Sequence, residues 1–256
     1  GNVISHFRAK SHLIEIFKNN KMKKVILVFL ILNFTNSFCQ VSFKNLISTN
    51  EKAIFSIFTY DDFGVPSGSG TGFFISSSGT AISNFHVLKG ASSAIIKLNT
   101  NETFKITEII ESNENADLIK FKIDNPTTKL FPFLTTKLTG IDKGEKIFVI
   151  GNPHGFESTV SEGIISSVRN VEGYEQVIQI TAPISPGSSG SPVMTMDGKV
   201  IGVATFQYAD GQNLNFAVGS KMISKLGLQN KKLNTTNNSN FIIVNEKCKE
   251  NSELIL

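Results

Sequence analysis

Apolar residues in this chain come in short bursts, some continuous and some alternating with polar ones, a rhythm that points to strands rather than to packed amphipathic helices. The runs fall at Ala53–Tyr60, Gly72–Ser76, Thr80–Ser83, Ala94–Leu98, Phe104–Ile110, Leu118–Ile123, Lys146–Ile150, Gly163–Val168, Gln176–Thr181, Pro192–Met196, Val200–Phe206 and Leu214–Val218. Gly, Asn, Asp and Pro punctuate most of the gaps, as in a β-barrel or sandwich. About a dozen strands suits two six-stranded barrels. The stretch Asp124–Lys143, with Pro126, Pro132 and Gly140, is where one barrel hands over to the next. This places a first barrel at about residues 41–125 and a second at about 141–219. Ser220–Leu226 is expected to close the domain as a short helix with Ser220 as N-cap. The domain is then taken to run over 41–230, followed by a polar, Asn-rich linker and tail over 231–256.

Composition supports the strand reading. The chain has 256 residues, 20 of them Gly and 21 Phe, with no Trp, and 40% are hydrophobic, enough for a sizeable core. Charge needs partitioning. The formal net charge is +4, but residues 1–40 hold six Lys/Arg against one Glu, leaving 19 basic and 20 acidic residues in the body. A body near −1 has no basic patch for nucleic acid or an anionic membrane surface.

The positive charge belongs to a leader. Lys21, Lys23 and Lys24 precede the apolar run Val25–Leu32, and Ser37-Phe38-Cys39 precede Gln40, the three-part layout of a secretory signal peptide. Met22 is the expected start, with 1–21 an upstream extension or cloning remnant and 22–39 the signal peptide. About 20 apolar residues are needed to span a bilayer, and Asn33, Thr35, Asn36 and Ser37 interrupt this run. No stable span is therefore expected after cleavage, and the protein is expected to be secreted or periplasmic. An uncleaved leader would leave it membrane-anchored. A lipid anchor on Cys39 is disfavoured by the bulk of Phe38. With Cys39 gone, Cys248 is alone and no internal disulfide can form.

Candidate chemistry concentrates in Pro186-Gly187-Ser188-Ser189-Gly190-Ser191-Pro192, a run of small residues leading into an apolar strand. Small residues let the backbone turn sharply and bring adjacent N–H groups together, as an oxyanion site requires, with Ser189 at the turn. Taken alone, the stretch is equally an ordinary Gly/Ser turn. Histidine positions narrow the choice. The mature region holds only His86 and His154, and neither follows Ser189, so the nucleophile–acid–histidine order of α/β-hydrolases is impossible. The order His, Asp, Ser stays open. His86 ends a strand in Ser83-Asn84-Phe85-His86-Val87-Leu88, and Asp117 opens one in Asn115-Ala116-Asp117-Leu118, while Glu111 and Glu114 are read as loop residues. Each alone has a structural explanation. His154, in a Pro-containing turn, is read as a surface residue. Two histidines and one cysteine offer no clustered ligand set and H-E-x-x-H is absent, which disfavours a metal hydrolase; no cofactor is expected.

Together these stretches resemble the trypsin-like serine peptidases, most closely the HtrA/DegP-like branch. Gly70-Thr71-Gly72-Phe73-Phe74-Ile75 and Ser83-Asn84-Phe85-His86-Val87 are similar to that branch's G-x-G-F-I and T-N-x-H-V segments. Asp117-Leu118-Ile119, Gly151-Asn152-Pro153-His154-Gly155 and Asn215-Phe216-Ala217-Val218 resemble its D-L-A, G-N-P-x-G and G-F-A-I segments, all in the expected order. The departures are Ser188, where Asn or Asp is common, and Ser191, where a second Gly is common. A G-S-P ending is also reminiscent of glutamyl endopeptidases. No Asp precedes Ser189, so activation through a buried salt bridge to a new N-terminus is not expected, and no PDZ-like domain is expected after the linker.

The resemblance implies two antiparallel β-barrels with a cleft between them. His86, Asp117 and Ser189 would form a triad, and the backbone N–H groups of Gly187, Ser188 and Ser189 would line an oxyanion hole. Thr205, Phe206 and Gln207 would pair with substrate backbone, with Ile184, Phe206 and Ala217 near the first specificity pocket. Its partner would be a polypeptide substrate, not nucleic acid, and a homo-oligomer is left open. A catalytically silent binding or holdase protein on the same fold is the rival reading.

Overall fold

The computed structural model describes residues 42–125, 127–152, 158–171, 176–207 and 215–226, together with residue 24. Twelve strands form two closed six-stranded antiparallel barrels. The first contains β1 (Ile54–Tyr60), β2 (Pro66–Phe74), β3 (Thr80–Ser83), β4 (Ser93–Leu98), β5 (Thr103–Asn113) and β6 (Leu118–Ile123), in the order β1-β2-β3-β6-β5-β4. The second contains β7 (Lys146–Gly151), β8 (Thr159–Arg169), β9 (Val177–Ile180), β10 (Pro192–Thr195), β11 (Val200–Gln207) and β12 (Asn215–Gly219), in the order β10-β11-β12-β9-β8-β7. Every expected run carries a strand, most with ends shifted by a residue or a few. The longest extension is β2, which begins at Pro66 although its first half is Ser/Gly-rich and exposed. Pairing with β1 carries it there, because backbone ladder bonds do not need apolar side chains.

Alternation along the strands explains why the described residues form three core clusters and not two. In β1 and β2, Phe55, Ile57 and Phe74 point into the first barrel while Ile54 and Phe73 point out of it. In β7, Ile147 and Val149 fill the second barrel while Phe148 and Ile150 face outward. The outward set meets between the barrels, where Ile54, Phe73, Ile82 and Leu118 pack with Phe148, Ile150, Met194 and Val203. This shared core fixes one barrel against the other.

Two of the helices cover that seam. α1 (Phe43–Asn50), unanticipated from the sequence, lays Phe43, Leu46 and Ile47 on the inter-barrel core, with Phe43 edge-on to Phe148 at 5.3 Å between ring centres. α2 (Phe85–Leu88) is a single turn after β3. α3 (Ser220–Lys225) adds Met222 and Ile223 to the same core. The expected cap is corrected here: Gly219 occupies the N-cap position, and Ser220 is already helical, its hydroxyl donating to the Lys137 carbonyl. Tertiary contact outcompetes the local cap. Glu111 likewise lies within β5 and not in a loop. Among the described residues no helix is long and apolar enough to cross a membrane. The leader apart from Lys24, His154, Leu214 and the linker and tail lie outside the described residues.

Candidate active site

His86 is carried by α2, whose apolar neighbours Phe85, Val87 and Leu88 are buried and leave the imidazole about half exposed, at 48%. Asp117 comes from the tight turn between β5 and β6. There the Asn113 side chain accepts the Ala116 N–H, the Asp117 N–H donates to the Glu114 carbonyl, and Asp117 adopts φ +51°. Asp enters this left-handed region more readily than most side chains, so the turn selects its residue type.

The turn meets α2 through the backbone as well as the side chain. The Asp117 carbonyl accepts the Phe85 N–H at 3.2 Å and the Asn84 amide at 2.8 Å. Its carboxylate accepts the His86 N–H at 2.9 Å on Oδ1, and lies 2.7 Å from His86 Nδ1 on Oδ2. A third donor arrives from the other barrel: Thr205 Oγ1 donates to Oδ2 at 2.9 Å and itself accepts the Asn84 amide. With Nδ1–H committed to a carboxylate, the neutral ring carries its lone pair on Nε2, the tautomer of a general base.

The Ser189 loop enters from the second barrel and is pinned by backbone bonds. Gly187 sits at φ +91° and Gly190 at φ +88°, conformations that glycine adopts without strain. At Gly190 a Cβ would also collide with the Thr71 carbonyl and the Ser83 hydroxyl. The Gly190 N–H donates to the Ala204 carbonyl at 3.0 Å, the Ser191 N–H to Ser188 at 3.0 Å, and the Thr71 N–H to Ser189 at 2.8 Å. The N–H groups of Gly187 and Ser189 have no acceptor among the described residues. The Ser188 N–H is different: it donates to the Ser185 carbonyl at 2.8 Å, closing the turn, and is not available as a third oxyanion donor as the resemblance had led us to expect.

The Ser191 departure has a steric counterpart. Its hydroxyl is fully buried without a partner among the described residues, and a Cβ on Gly151 would lie 2.5 Å from it. The glycine at 151 makes room for the extra hydroxymethyl at 191.

The His86–Asp117 pair is thus closed, while no hydrogen bond joins His86 Nε2 to Ser189 Oγ among the described residues. Thr205, expected in a substrate-pairing strand, commits its side chain to Asp117, a role its position alone did not signal. Ala217 is buried in β12, paired with Ala204 and Ile178, and Ile184 is half-buried against the second barrel's core. Phe206 and Gln207 continue β11 opposite Phe216 and Asn215.

The family model described as "Trypsin-like peptidase domain" matches residues 70–203, just over half of the chain. The chain belongs to this family. Among trypsin-like peptidases it is similar to "Protease Do-like 1, chloroplastic" of Arabidopsis thaliana, 35% identical over 59% of this chain and 36% of that protein. A "Probable periplasmic serine endoprotease DegP-like" of Chlamydia muridarum is 37% identical over 53% of this chain and 28% of its own length. The chain therefore spans about a third of these relatives. A solved "HtrA-type protease AlgW with tripeptide" superposes with a TM-score of 0.64 at 31% identity, covering 72% of this chain and 62% of that one.

Proposed function

We propose that this chain is a serine endopeptidase that cuts protein substrates outside the cytoplasm, in quality control or processing. Ser189 attacks the peptide carbonyl carbon while His86 Nε2 takes the hydroxyl proton. The carbonyl oxygen becomes the oxyanion between the Gly187 and Ser189 N–H groups, and His86 returns the proton to the leaving amine. An acyl-enzyme remains, which water attacks with His86 again as base. Asp117 holds the tautomer and stabilises the imidazolium. The observation that carries this reading is the Asp117 carboxylate, which takes two bonds from His86 and one from Thr205 across the two barrels. A surface ion pair has no need of such closure.

Ser189→Ala is expected to abolish hydrolysis of an unfolded protein substrate while leaving the thermal transition in place. Undiminished turnover by that variant would refute the assignment. The rival, a silent binding or holdase protein, is favoured by the missing His86–Ser189 hydrogen bond. Such bonds are often long before substrate arrives. Labelling of Ser189 by an active-site serine phosphonate separates the two, since a silent protein stays unlabelled.

Around the first specificity pocket Ile184 and Ala217 are apolar and no charged residue from the sequence is assigned to its floor, so small or medium apolar residues are expected before the cut. A peptide-library profile dominated by Arg, Lys or Glu would contradict this. The secretory leader over 22–39 is supported by its three-part layout and by relatives named as periplasmic. Exported protein beginning near Gln40 is the expected result of N-terminal sequencing.

A further inference from the structure

Thr71 lies within β2, fully buried, and is tied to the second barrel by three hydrogen bonds and to Ser83 of its own barrel by a fourth. Its N–H donates to the Ser189 carbonyl at 2.8 Å, and its own carbonyl accepts the Ser83 hydroxyl at 2.7 Å. Its hydroxyl donates to the Gly187 carbonyl at 2.8 Å and accepts the Asn152 N–H at 3.0 Å. Thr71 therefore grips the carbonyls of the two residues whose N–H groups have no acceptor among the described residues.

A glycine with no side chain to pack must be oriented through its backbone. Around Ser189 this is complete. The Ser188–Ser189 peptide is held by the Ser191 N–H on the Ser188 carbonyl, and the following peptide is held on both sides, by Thr71 and by the Ala204 carbonyl. Around Gly187 the hold is thinner. The Gly187–Ser188 peptide rests on the Thr71 hydroxyl at one side and the Ser185 carbonyl at the other, while the preceding Pro186–Gly187 peptide, which carries the Gly187 N–H, has no hydrogen bond among the described residues. The Thr71 hydroxyl is itself aimed by Asn152. The Asn152 side chain, once its amide is oriented to match its surroundings, accepts the Ser56 N–H and hydroxyl at 3.2 Å.

We infer that the Thr71 hydroxyl is a positioning group for the oxyanion hole, holding Gly187 so that its N–H faces the cleft together with that of Ser189. This rests on the serine-peptidase reading. It assigns to a side chain of the first barrel the control of a donor that belongs to the second. The hydroxyl touches no reacting atom and acts only through the Gly187 carbonyl.

Thr71→Val keeps the shape and removes both hydrogen bonds of the hydroxyl, whereas Thr71→Ser keeps them and loses only a methyl. Each would be assayed on a peptide substrate well below its own melting temperature. For Thr71→Val the expectation is a fall in kcat of about 10²-fold, the scale of losing one oxyanion donor. KM should stay within about twofold, because the hole is used in the transition state. Thr71→Ser should keep at least about a third of the wild-type kcat. A folded Thr71→Val with wild-type kcat would overturn the inference, as would parallel losses in both variants that track their loss of stability. If Thr71→Val does not fold, Thr71→Ala removes the same hydroxyl without a second methyl near the Asn152 N–H, and the same split is expected of it. A wild-type protein that neither cleaves nor takes the serine phosphonate would sink the peptidase reading, and this inference with it.

Discussion

The two barrels share a topology and differ in what fills them and in what they contribute. The first is packed with phenylalanine: Phe55 lies 4.7 Å from Phe74, and Phe74 stacks on Phe131 at 4.6 Å. The second is filled by Ile147, Val149, Ile165, Ile178, Ile180, Val193 and Ile201, with no aromatic ring in its cluster among the described residues. The first supplies His86 and Asp117, already joined by short hydrogen bonds. The second supplies the Ser189 loop, which takes its shape from backbone bonds and from Thr71 across the seam. The lesson is that the His86–Asp117 contact is made within one packed unit and gains one further donor, Thr205, from the other, whereas a loop of glycine and serine has no side-chain bulk with which to hold itself and borrows its order from its neighbour.

The largest test of this contrast breaks the pair inside the first barrel. Asp117→Asn keeps the size of the side chain but removes the charge and allows the wrong imidazole tautomer. The kcat is expected to fall about 10⁴-fold with the fold retained. A fall of less than tenfold would mean that Asp117 is a turn residue and the pair incidental.

Next is the packing. Phe74→Ala leaves a cavity among stacked rings and should cost about 3–5 kcal/mol, against roughly 1 kcal/mol for Ile180→Val in the second barrel. Because Ile54, Phe73, Phe148 and Ile150 share one inter-barrel core, both variants should unfold in a single transition. Two separated transitions in the Phe74→Ala denaturation curve would show that the barrels hold together less tightly than this core implies.

The smallest effect lies in the β10–β11 turn, remote from the phenylalanine core. The Thr195 hydroxyl, and then Lys199, hold the Asp197 carboxyl below its ordinary value. A depressed folded value contributes stability that is present above the unfolded Asp value of about 3.9 and lost as pH falls through the folded one. The group is largely solvated, so Asp197→Asn should cost only about 0.5 kcal/mol near neutral pH, and the difference should vanish in acid. A difference that persists unchanged at low pH would remove the carboxylate from the explanation.

Much of the fold was legible along the chain. Leu118–Ile123 and Thr80–Ser83 were bounded to the residue, because alternation and flanking polar turns both mark their ends. α1 was missed because FKNLISTN carries few apolar residues and is helical where it lies on the seam. In the candidate site, the order of His86, Asp117 and Ser189 and their flanking motifs pointed to a triad, and the structure joins the first two. Thr205 is placed by motif in a strand that pairs through its backbone, which says nothing of its side chain, so the bond to Asp117 was not legible. Ser188 was counted among the oxyanion donors for a similar reason, since only the turn to Ser185 reveals where its N–H goes.

The sequence by itself determined where strands could form, which residues could carry acid–base and nucleophilic chemistry, and in what order. Those properties are local, set by period, residue type and spacing. What joins them was decided only by the tertiary structure. His86 and Asp117 are 31 positions apart, Thr205 and Asp117 88, and Thr71 and Gly187 116. A hydrogen bond is governed by distances of about 3 Å and by direction. Over such separations the chain can satisfy those limits only after the two barrels have closed and packed against each other.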